Sequence, residues 1–272
     1  MVKLLARPCC LVLLSLGCGR LRFDPLAGDA TGVDADDDAT AVCTTVGHDE
    51  DADGIADVCD VCPHVPDPAQ LDSDRDGVGD ACDPEPTNKR QSFIVFATMQ
   101  PTDQPFTVDP GVLGTWTQLA DALHYDGKDA GTLRYDVPLG NVVLSIGFLV
   151  QGPVGPAQHQ IAIFTHGSDP AFHFDELNDA GAPPGFASAT YYDGLGNFSS
   201  AATAPLPAGV RAGAGTLFET AIVGTSLGLH GGWVGEPIDI TGPAPNYVGG
   251  TYAQVDAKNV AMDINWICLI GW

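Results

Sequence analysis

Basic side chains are scarce in this chain of 272 residues, which has 11 Lys and Arg against 35 Asp and Glu and a formal net charge of -24. The imbalance is local, because 19 acidic residues lie between Asp24 and Glu85, where Arg75 is the only base. Nucleic-acid binding needs a basic stripe along the phosphate backbone. The sequence therefore excludes nucleic acid as a partner, and its acidic stretch favours cations.

Long apolar runs are also missing. The run at residues 11–16 is far shorter than the ~20 residues that a membrane-spanning helix needs, and with Lys3 and Arg7 before it the start has the form of an export signal. Its end, Leu14-Ser-Leu-Gly-Cys18, resembles a bacterial lipobox. The resemblance implies a signal peptide over residues 1–18, lipidation of Cys18 and a lipid anchor at the outer membrane or cell surface. The alternative is an ordinary cleaved signal, a secreted protein and a spare thiol at Cys18.

Catalytic groupings are few. The segment Gly224-Thr-Ser226-Leu-Gly228 fits the nucleophile-elbow pattern, but no histidine lies beyond His230 to complete a triad, so we interpret it as a turn. Glycoside hydrolysis uses two carboxyl groups that flank a bond, whereas the candidate glutamates are isolated in sequence: Glu176, Glu219 and Glu236. Asp175 and Glu176 would point to opposite faces of a strand. The sequence thus predicts a protein that is not an enzyme.

Two groups of side chains are weaker candidates. Three histidines recur every seven residues and could assemble a metal or acid–base site with Asp169 and Asp175: His159, His166 and His173. Gly167 and Pro170 predict an irregular loop there, so the geometry of such a site cannot be read. Several aromatic residues beside glycine-rich turns could stack on sugar rings, although such residues are more often partly buried: Tyr191, Tyr192, Trp233 and Tyr247.

An acidic segment and five cysteines follow the signal. Residues 19–42 have too few large apolar side chains to offset the entropy of ordering, which predicts a disordered tether. The cysteines beyond it are Cys43, Cys59, Cys62, Cys82 and Cys268. Cys268 lies in an apolar run and is expected to be a small buried hydrophobe with no chemistry of its own.

The most specific feature is an internal repeat with a period of 23 residues. The segment Asp49–Asp60 aligns without gaps to Asp72–Asp83, and seven of the twelve positions are identical. All seven are Asp, Gly or Cys. Disorder would not require Gly and Cys at fixed positions relative to the acidic residues. The repeat therefore predicts two equivalent loops with a defined structure.

Each repeat supplies the ligands of a calcium loop. Calcium takes six to eight oxygens, and a twelve-residue loop provides them from positions 1, 3, 5, 7, 9 and 12, with Gly at position 6. The predicted ligands of the first loop are Asp49, Asp51, Asp53, the carbonyl of Ile55, Asp57 and Asp60. Those of the second loop are Asp72, Asp74, Asp76, the carbonyl of Val78, Asp80 and Asp83. Because position 12 is Asp and not the longer Glu, we expect weak sites of the extracellular type.

Proline placement separates these loops from an EF-hand, because Pro63, Pro66 and Pro68 block a helix after the first loop. The run from Cys62 to Asp83 closely resembles the thrombospondin type 3 repeat, also found as a spacer in bacterial envelope proteins. The resemblance covers residues 43–86 and implies an irregular calcium-cored rod with bridges Cys43–Cys59 and Cys62–Cys82. It also implies that calcium stiffens a stalk.

The rest of the chain, residues 91–272, has the composition of an all-β domain. Predicted strands are 92–99, 132–137, 142–150, 160–164, 187–192, 217–223 and 260–270. Together with Trp116, the Asp126-Gly127 turn and a last strand near Trp266, their order resembles the concanavalin A-like (laminin G-like) jelly roll. The resemblance implies an antiparallel β-sandwich. An immunoglobulin-like or galactose-binding-like sandwich is the alternative.

These features lead to one functional expectation. We expect a calcium-binding envelope lipoprotein, not an enzyme, whose β-sandwich binds a glycan or a surface protein in adhesion. A hydrolase of extracellular polysaccharide and a purely structural surface protein are the alternatives. The expectation of glycan or protein binding is drawn by analogy from the fold.

Overall fold

The computed structural model describes residues 47–101, 105–109, 111, 113–166, 172–223, 226–243 and 250–272. Within these ranges it has fifteen strands and one short 3-10 helix, Asp57–Cys59. The strands are β1 (Ser92–Ala97), β2 (Thr107–Asp109), β3 (Trp116–Gln118), β4 (Leu123–Tyr125), β5 (Ala130–Leu139), β6 (Val142–Pro153), β7 (His159–His166), β8 (Phe172–Asp179), β9 (Gly185–Tyr192), β10 (Phe198–Leu206), β11 (Gly213–Val223), β12 (Ser226–Trp233), β13 (Glu236–Pro243), β14 (Gly250–Lys258) and β15 (Val260–Gly271). No helix in the part of the chain described here is long and apolar enough to cross a membrane.

The strands form two sheets that pack face to face. The eight-stranded sheet has the order β13-β12-β11-β6-β15-β4-β3, with β1 also paired to β15. The seven-stranded sheet has the order β10-β9-β8-β7-β14-β5-β2. Every pairing is antiparallel. The predicted fold class, an antiparallel β-sandwich of the jelly-roll type, is confirmed.

Alternation of side chains along the strands builds the core between the sheets. On β6, Leu144, Ile146 and Phe148 point inward and are at most 3% exposed. They meet the inward side chains of the seven-stranded sheet, such as Leu133 and Leu177. Burying each side chain of this size contributes about 1.5–3 kcal/mol relative to leaving it in water, so this single core holds the two sheets together.

The loop segment before β1 forms a third layer on the outer face of the eight-stranded sheet. Val78 is fully buried there in a cluster with Val143, Trp266 and Ile270. The ring of His64 lies 4.9 Å from that of Trp266. Trp266 in turn covers the backbone of Gly147, where a Cβ would clash with the indole, so the close approach requires glycine.

The described residues from Gly47 to Trp272 belong to one compact unit. The resemblance implied a calcium-stiffened stalk, and in the structure this loop segment packs against the sandwich. The physical reason is apolar burial, since Val78 and the half-buried Cys82 contact a ready-made apolar patch on the sheet. The disulfide between Cys62 and Cys82, with Cα atoms 5.7 Å apart, holds this segment closed.

Candidate functional site: paired aspartate loops and a polar–aromatic sheet face

The two aspartate repeats adopt the same backbone conformation. Gly54 and Gly77 have φ of 98° and 97°, and Ala52 and Arg75, two positions earlier, have φ of 62° and 63°. A Cβ on either glycine would meet nothing within 4 Å. Glycine is therefore required at position 6 by the left-handed conformation and not by lack of space.

The same hydrogen bonds recur in both loops. The N–H of Gly54 donates to Oδ2 of Asp49 at 3.0 Å, and the N–H of Gly77 donates to Oδ2 of Asp72 at 3.0 Å. At the other end, the N–H of Cys62 donates to Oδ1 of Asp60 at 2.7 Å. In the second loop the equivalent pair, Glu85 with Asp83, is 2.6 Å apart. Each loop is thus a built structure in which backbone N–H groups aim the carboxylates.

Carboxylate oxygens without a donor collect inside each loop. The aspartates at positions 1, 3 and 5 bring one oxygen each within 4.8 Å of one another, in both repeats. Some buried carboxylate oxygens have no hydrogen-bond partner among the residues that the structure describes: those of Asp49, Asp51 and Asp60 in the first loop, and those of Asp74 and Asp83 in the second. Asp60 and Asp83 are only 9% and 8% exposed. Buried anionic oxygens without donors are costly unless a cation satisfies them, so the donor set fits a hard divalent cation.

The aspartates at position 9 close the loops. Asp57 accepts from the N–H of Glu50 at 2.9 Å and contacts the ring of His48, and Asp80 accepts from both the N–H and the hydroxyl of Ser73. Both oxygens of each carboxylate are therefore engaged at the start of the loop. At position 7, the N–H of Ile55 and that of Val78 donate to Asp53 and Asp76.

Burial raises the pKa of three of the loop carboxyls. The pKa of Asp51 rises to about 6, mainly because of burial, with the charges of Asp53, Asp60 and Asp49 adding to it. Burial likewise raises the pKa of Asp60 and of Asp83. These shifts mean that the negative charges repel and are poorly solvated, which a bound cation would reverse.

Two of the cysteine predictions fall partly or wholly outside the described residues. Cys59 is disulfide-bonded, while Cys43, its predicted partner, and Cys18, the predicted lipidation site, lie outside. The Cys62–Cys82 bond is the one that the resemblance implied. Cys268 is free and buried, as expected.

On the far side of the sandwich, the outer face of the seven-stranded sheet carries a row of polar side chains. Neighbouring strands align Ser188, Glu176, Ala162, Asp256 and Thr132 in that order across β9, β8, β7, β14 and β5. Glu176 accepts hydrogen bonds from Asn178 at 2.7 Å, from Ser188 at 3.2 Å and from Gln160. Asp256 accepts from Thr132 at 2.8 Å and from Gln254 at 2.9 Å. Burial raises the pKa of Asp256.

Five aromatic rings lie beside this row on the same face. Neighbouring ring centroids are 4.7–6.2 Å apart in the cluster Phe164, Phe172, Phe174, Tyr192 and Phe198. Phe198 is 62% exposed, and Phe172 and Tyr192 are partly exposed. We call the polar row and this cluster together the polar–aromatic face. It joins flat apolar surface to fixed hydrogen-bonding groups.

The structure corrects the interpretation of Glu176 as isolated. Asp175 and Glu176 do point to opposite faces, with Asp175 inside the core. Yet Glu176 lies in the same row as Asp256, which is two strands away. Because neighbouring strands are about 4.7–4.9 Å apart, the backbones at these two residues are separated by roughly 9.5 Å. The small Ala162 lies between them. Sequence reasoning missed Asp256 because β14 was not predicted, and no local signal links positions 80 residues apart.

The histidines do not assemble a common site among the residues described. His159 is buried against Asp179, with Nδ1 2.8 Å from Oδ1, at one end of the β7–β8 pair. His173 lies near the other end, paired with Thr165 and with its ring 4.8 Å from that of Tyr191. Asp169 and the side chain of His166 lie outside the described part.

The aromatic candidates also separate. Tyr192 belongs to the polar–aromatic face, and Tyr247 lies outside the described residues. Trp233 is only 2% exposed and packs in the core against Phe148, so it cannot serve as a sugar platform. Ser226 opens strand β12 opposite Val223 in a hairpin, so no helix follows it, as an elbow would require.

Comparisons with known proteins bear on the fold. The structure is similar to the CBM2 module of Lactobacillus casei BL23 phage J-1 evolved Dit, with a TM-score of 0.54, 11% identity, and coverage of 66% of this chain and 96% of that one. It is also similar to Bacillus licheniformis beta-glucanase, with a TM-score of 0.47, 10% identity and coverage of 64% and 96%. For lectin II from Ulex europaeus the TM-score is 0.46 and the identity 9%, with coverage of 66% of this chain and 100% of that one. No protein-family model and no curated protein matches the chain. The first of these likenesses supports the jelly-roll sandwich and nothing finer.

Proposed function

We propose that this protein binds a glycan on the polar–aromatic face and is not an enzyme. The observation that carries the proposal is the joining of partly exposed rings, Phe172, Tyr192 and Phe198, to a fixed row of polar groups around Glu176. A sugar ring has an apolar face of C–H groups and a rim of hydroxyls. Such a ligand is matched by aromatic surface with a few well-placed polar groups.

Hydrogen bonding within the face supports this proposal. Gln160, Asn178 and Ser188 hold the Glu176 carboxylate, so its position is fixed before a ligand arrives. A preorganised acceptor loses little side-chain entropy on binding. The similar phage protein is itself named a CBM2 module, which is consistent with this use of the fold.

Calcium is the second part of the proposal. We propose that each loop binds a calcium ion. The ion would be coordinated by the carboxylate oxygens that have no hydrogen-bond donor among the described residues, which belong to Asp49, Asp51 and Asp60 in the first loop and to Asp74 and Asp83 in the second. The role is structural, since the loops lie on the opposite side of the sandwich from the polar–aromatic face. As in the sequence-based expectation, we propose export, a lipid anchor at Cys18 and presentation at the cell surface.

A glycan array of the full chain, with and without a chelator, tests the binding proposal. We expect selective binding, weakened at least tenfold by Phe198→Ala or Tyr192→Ala. Val234→Ala is the matched control, because Val234 is 67% exposed in the turn between β12 and β13, which belong to the other sheet. Silence across the array, or equal loss in the control, would contradict the proposal and would favour a purely structural surface protein.

A hydrolase is the second candidate, and the shared row of Glu176 and Asp256 is the observation that favours it. Two carboxyl groups about 6.5–9.5 Å apart are the arrangement of inverting glycosidases. Release of reducing sugar from polysaccharides that the array identifies would support this candidate if Glu176→Gln and Asp256→Asn each abolish it. Binding without turnover in the unmodified protein would exclude it.

A further inference from the structure

His48 lies where the first aspartate loop meets the edge of the eight-stranded sheet. Its Nε2 is 3.0 Å from Oδ1 of Asp121 and 3.7 Å from Oε2 of Glu50. Asp121 belongs to the turn between β3 and β4, so the fold brings together groups that are far apart in the chain. One ligand atom from each of the three residues lies within 4.8 Å of the others.

A fourth residue fixes the orientation of the imidazole. Nδ1 of His48 is 2.7 Å from Oδ2 of Asp57. Because a carboxylate accepts, Nδ1 carries a proton, which leaves Nε2 as the nitrogen that a metal ion would take, in place of the hydrogen bond that Nε2 makes to Asp121. Asp57 is itself held by the N–H of Glu50 at 2.9 Å. A histidine whose second nitrogen donates to a carboxylate is the usual arrangement of a metal ligand, because it fixes the tautomer and raises basicity.

We propose that His48, Glu50 and Asp121 bind a zinc-class divalent transition metal ion. In a tetrahedral zinc site with bonds of about 2.0–2.2 Å, ligand atoms lie roughly 3.4 Å apart. The two measured separations, 3.0 and 3.7 Å, bracket that spacing. An imidazole nitrogen with two carboxylates suits zinc, whereas calcium takes oxygen ligands. This site is therefore chemically distinct from the aspartate loops, and it does not depend on the glycan proposal.

Other histidine–carboxylate pairs show what distinguishes this cluster. His124 contacts Asp263 at 2.6 Å, and His230 contacts Asp239 at 2.9 Å. Each of these is a pair, and among the residues described neither belongs to a group of three ligands whose atoms lie within 4.8 Å of each other. His230 with Asp239 is therefore a matched control.

The proposed ion would join the first loop to the sandwich. His48 and Glu50 flank the first ligand of that loop, and Asp121 lies on the β3–β4 turn. A metal bound by both elements would restrain the loop, since opening it would break a ligand bond. Metal binding of this kind adds its free energy to the closed state.

Zinc titration of the full chain by calorimetry, with calcium held at saturation, tests the proposal. We expect one zinc ion per chain, at least tenfold weaker binding in Asp121→Asn and in His48→Gln, and no change in Asp239→Asn. Asp121 has a side chain that is 58% exposed, so its replacement should leave the fold intact, which the thermal unfolding midpoint checks. Absence of zinc binding at saturating calcium, or equal binding by Asp121→Asn, would overturn the proposal. A loop that loosens in Asp121→Asn without any zinc binding would also overturn it, and would identify an imidazolium ion pair instead.

Discussion

At the residue scale, Asp175 on β8 is an ionisable side chain in an unfavourable environment. It is fully buried in the sandwich core, where its carboxylate faces Thr220 on the other sheet. Burial raises its pKa well above the usual value, while Thr220 on the facing sheet favours the ionised form and Glu176 opposes it. Folding therefore favours the protonated acid, so the stability of the native state falls as pH rises above the ordinary aspartate range.

We predict that Asp175→Asn stabilises the protein at pH 8 and has much less effect near pH 4. The neutral amide has nearly the same shape but avoids the ionisation that burial makes unfavourable. Unfolding midpoints of both proteins across pH would show the difference. A variant that is equally or less stable at pH 8 would mean that an unidentified group satisfies the carboxylate.

His64 should make the protein lose stability on acidification. Burial lowers the pKa of His64 to about 4, and it does the same for His173. Between about pH 6.5 and 4 the unfolded chain binds more protons than the native state at these two sites. Each site then contributes a loss of up to about 1.4 kcal/mol per pH unit as pH falls.

The variant His64→Phe keeps a ring against Trp266 but cannot titrate. We predict that the slope of unfolding free energy against pH, between pH 6.5 and 4.5, is smaller in this variant than in the unmodified protein. The difference should be up to about 1.4 kcal/mol per pH unit, which corresponds to one proton. Denaturant unfolding at fixed calcium concentration measures both slopes. Identical slopes would show that His64 does not titrate differently in the two states.

At the element scale, the position-6 glycines are the points where each loop is most sensitive. An L-residue at φ near 98° is strained by about 1–2 kcal/mol. We predict that Gly54→Ala and Gly77→Ala each lose that amount of stability and also weaken calcium binding. Gly235, with φ of 84° and open space around it, lies in the β12–β13 turn and is the matched control.

Gly235→Ala should have a similar stability cost but leave calcium binding unchanged. Calorimetric calcium titration together with denaturant unfolding separates the two effects. If all three variants weaken calcium binding alike, the effect is general destabilisation and not loop geometry.

Some strands could be predicted from the sequence and others could not. The seven predicted strands correspond to β1, β5, β6, β7, β9, β11 and β15, which are rich in β-branched and aromatic residues. Strand β8 escaped prediction because His173, Asp175 and Asp179 occupy inward positions, which hides the alternation of apolar and polar residues. Strand β12 escaped because its glycines gave no period. The polar–aromatic face could not be predicted either, because its central residues lie on β8 and β14, two strands that the sequence did not predict.

At the scale of the whole compact unit, the aspartate loops and the sandwich are mechanically linked. Oδ2 of Asp76 accepts from the N–H groups of Arg90 at 3.2 Å and Gln91 at 2.7 Å, which lead directly into β1. The same loop packs Val78 against the eight-stranded sheet. Calcium in the loops would thus brace one side of the sandwich while the polar–aromatic face on the other side stays available.

Calcium binding by the paired aspartate loops is tested most directly by calorimetric titration of the full chain with calcium up to about 10 mM. We predict two sites per chain, with Asp51→Asn and Asp74→Asn, equivalent positions of the two repeats, each losing one site while keeping the other. Absence of calcium heat in the unmodified protein, or two intact sites in either variant, would contradict the account.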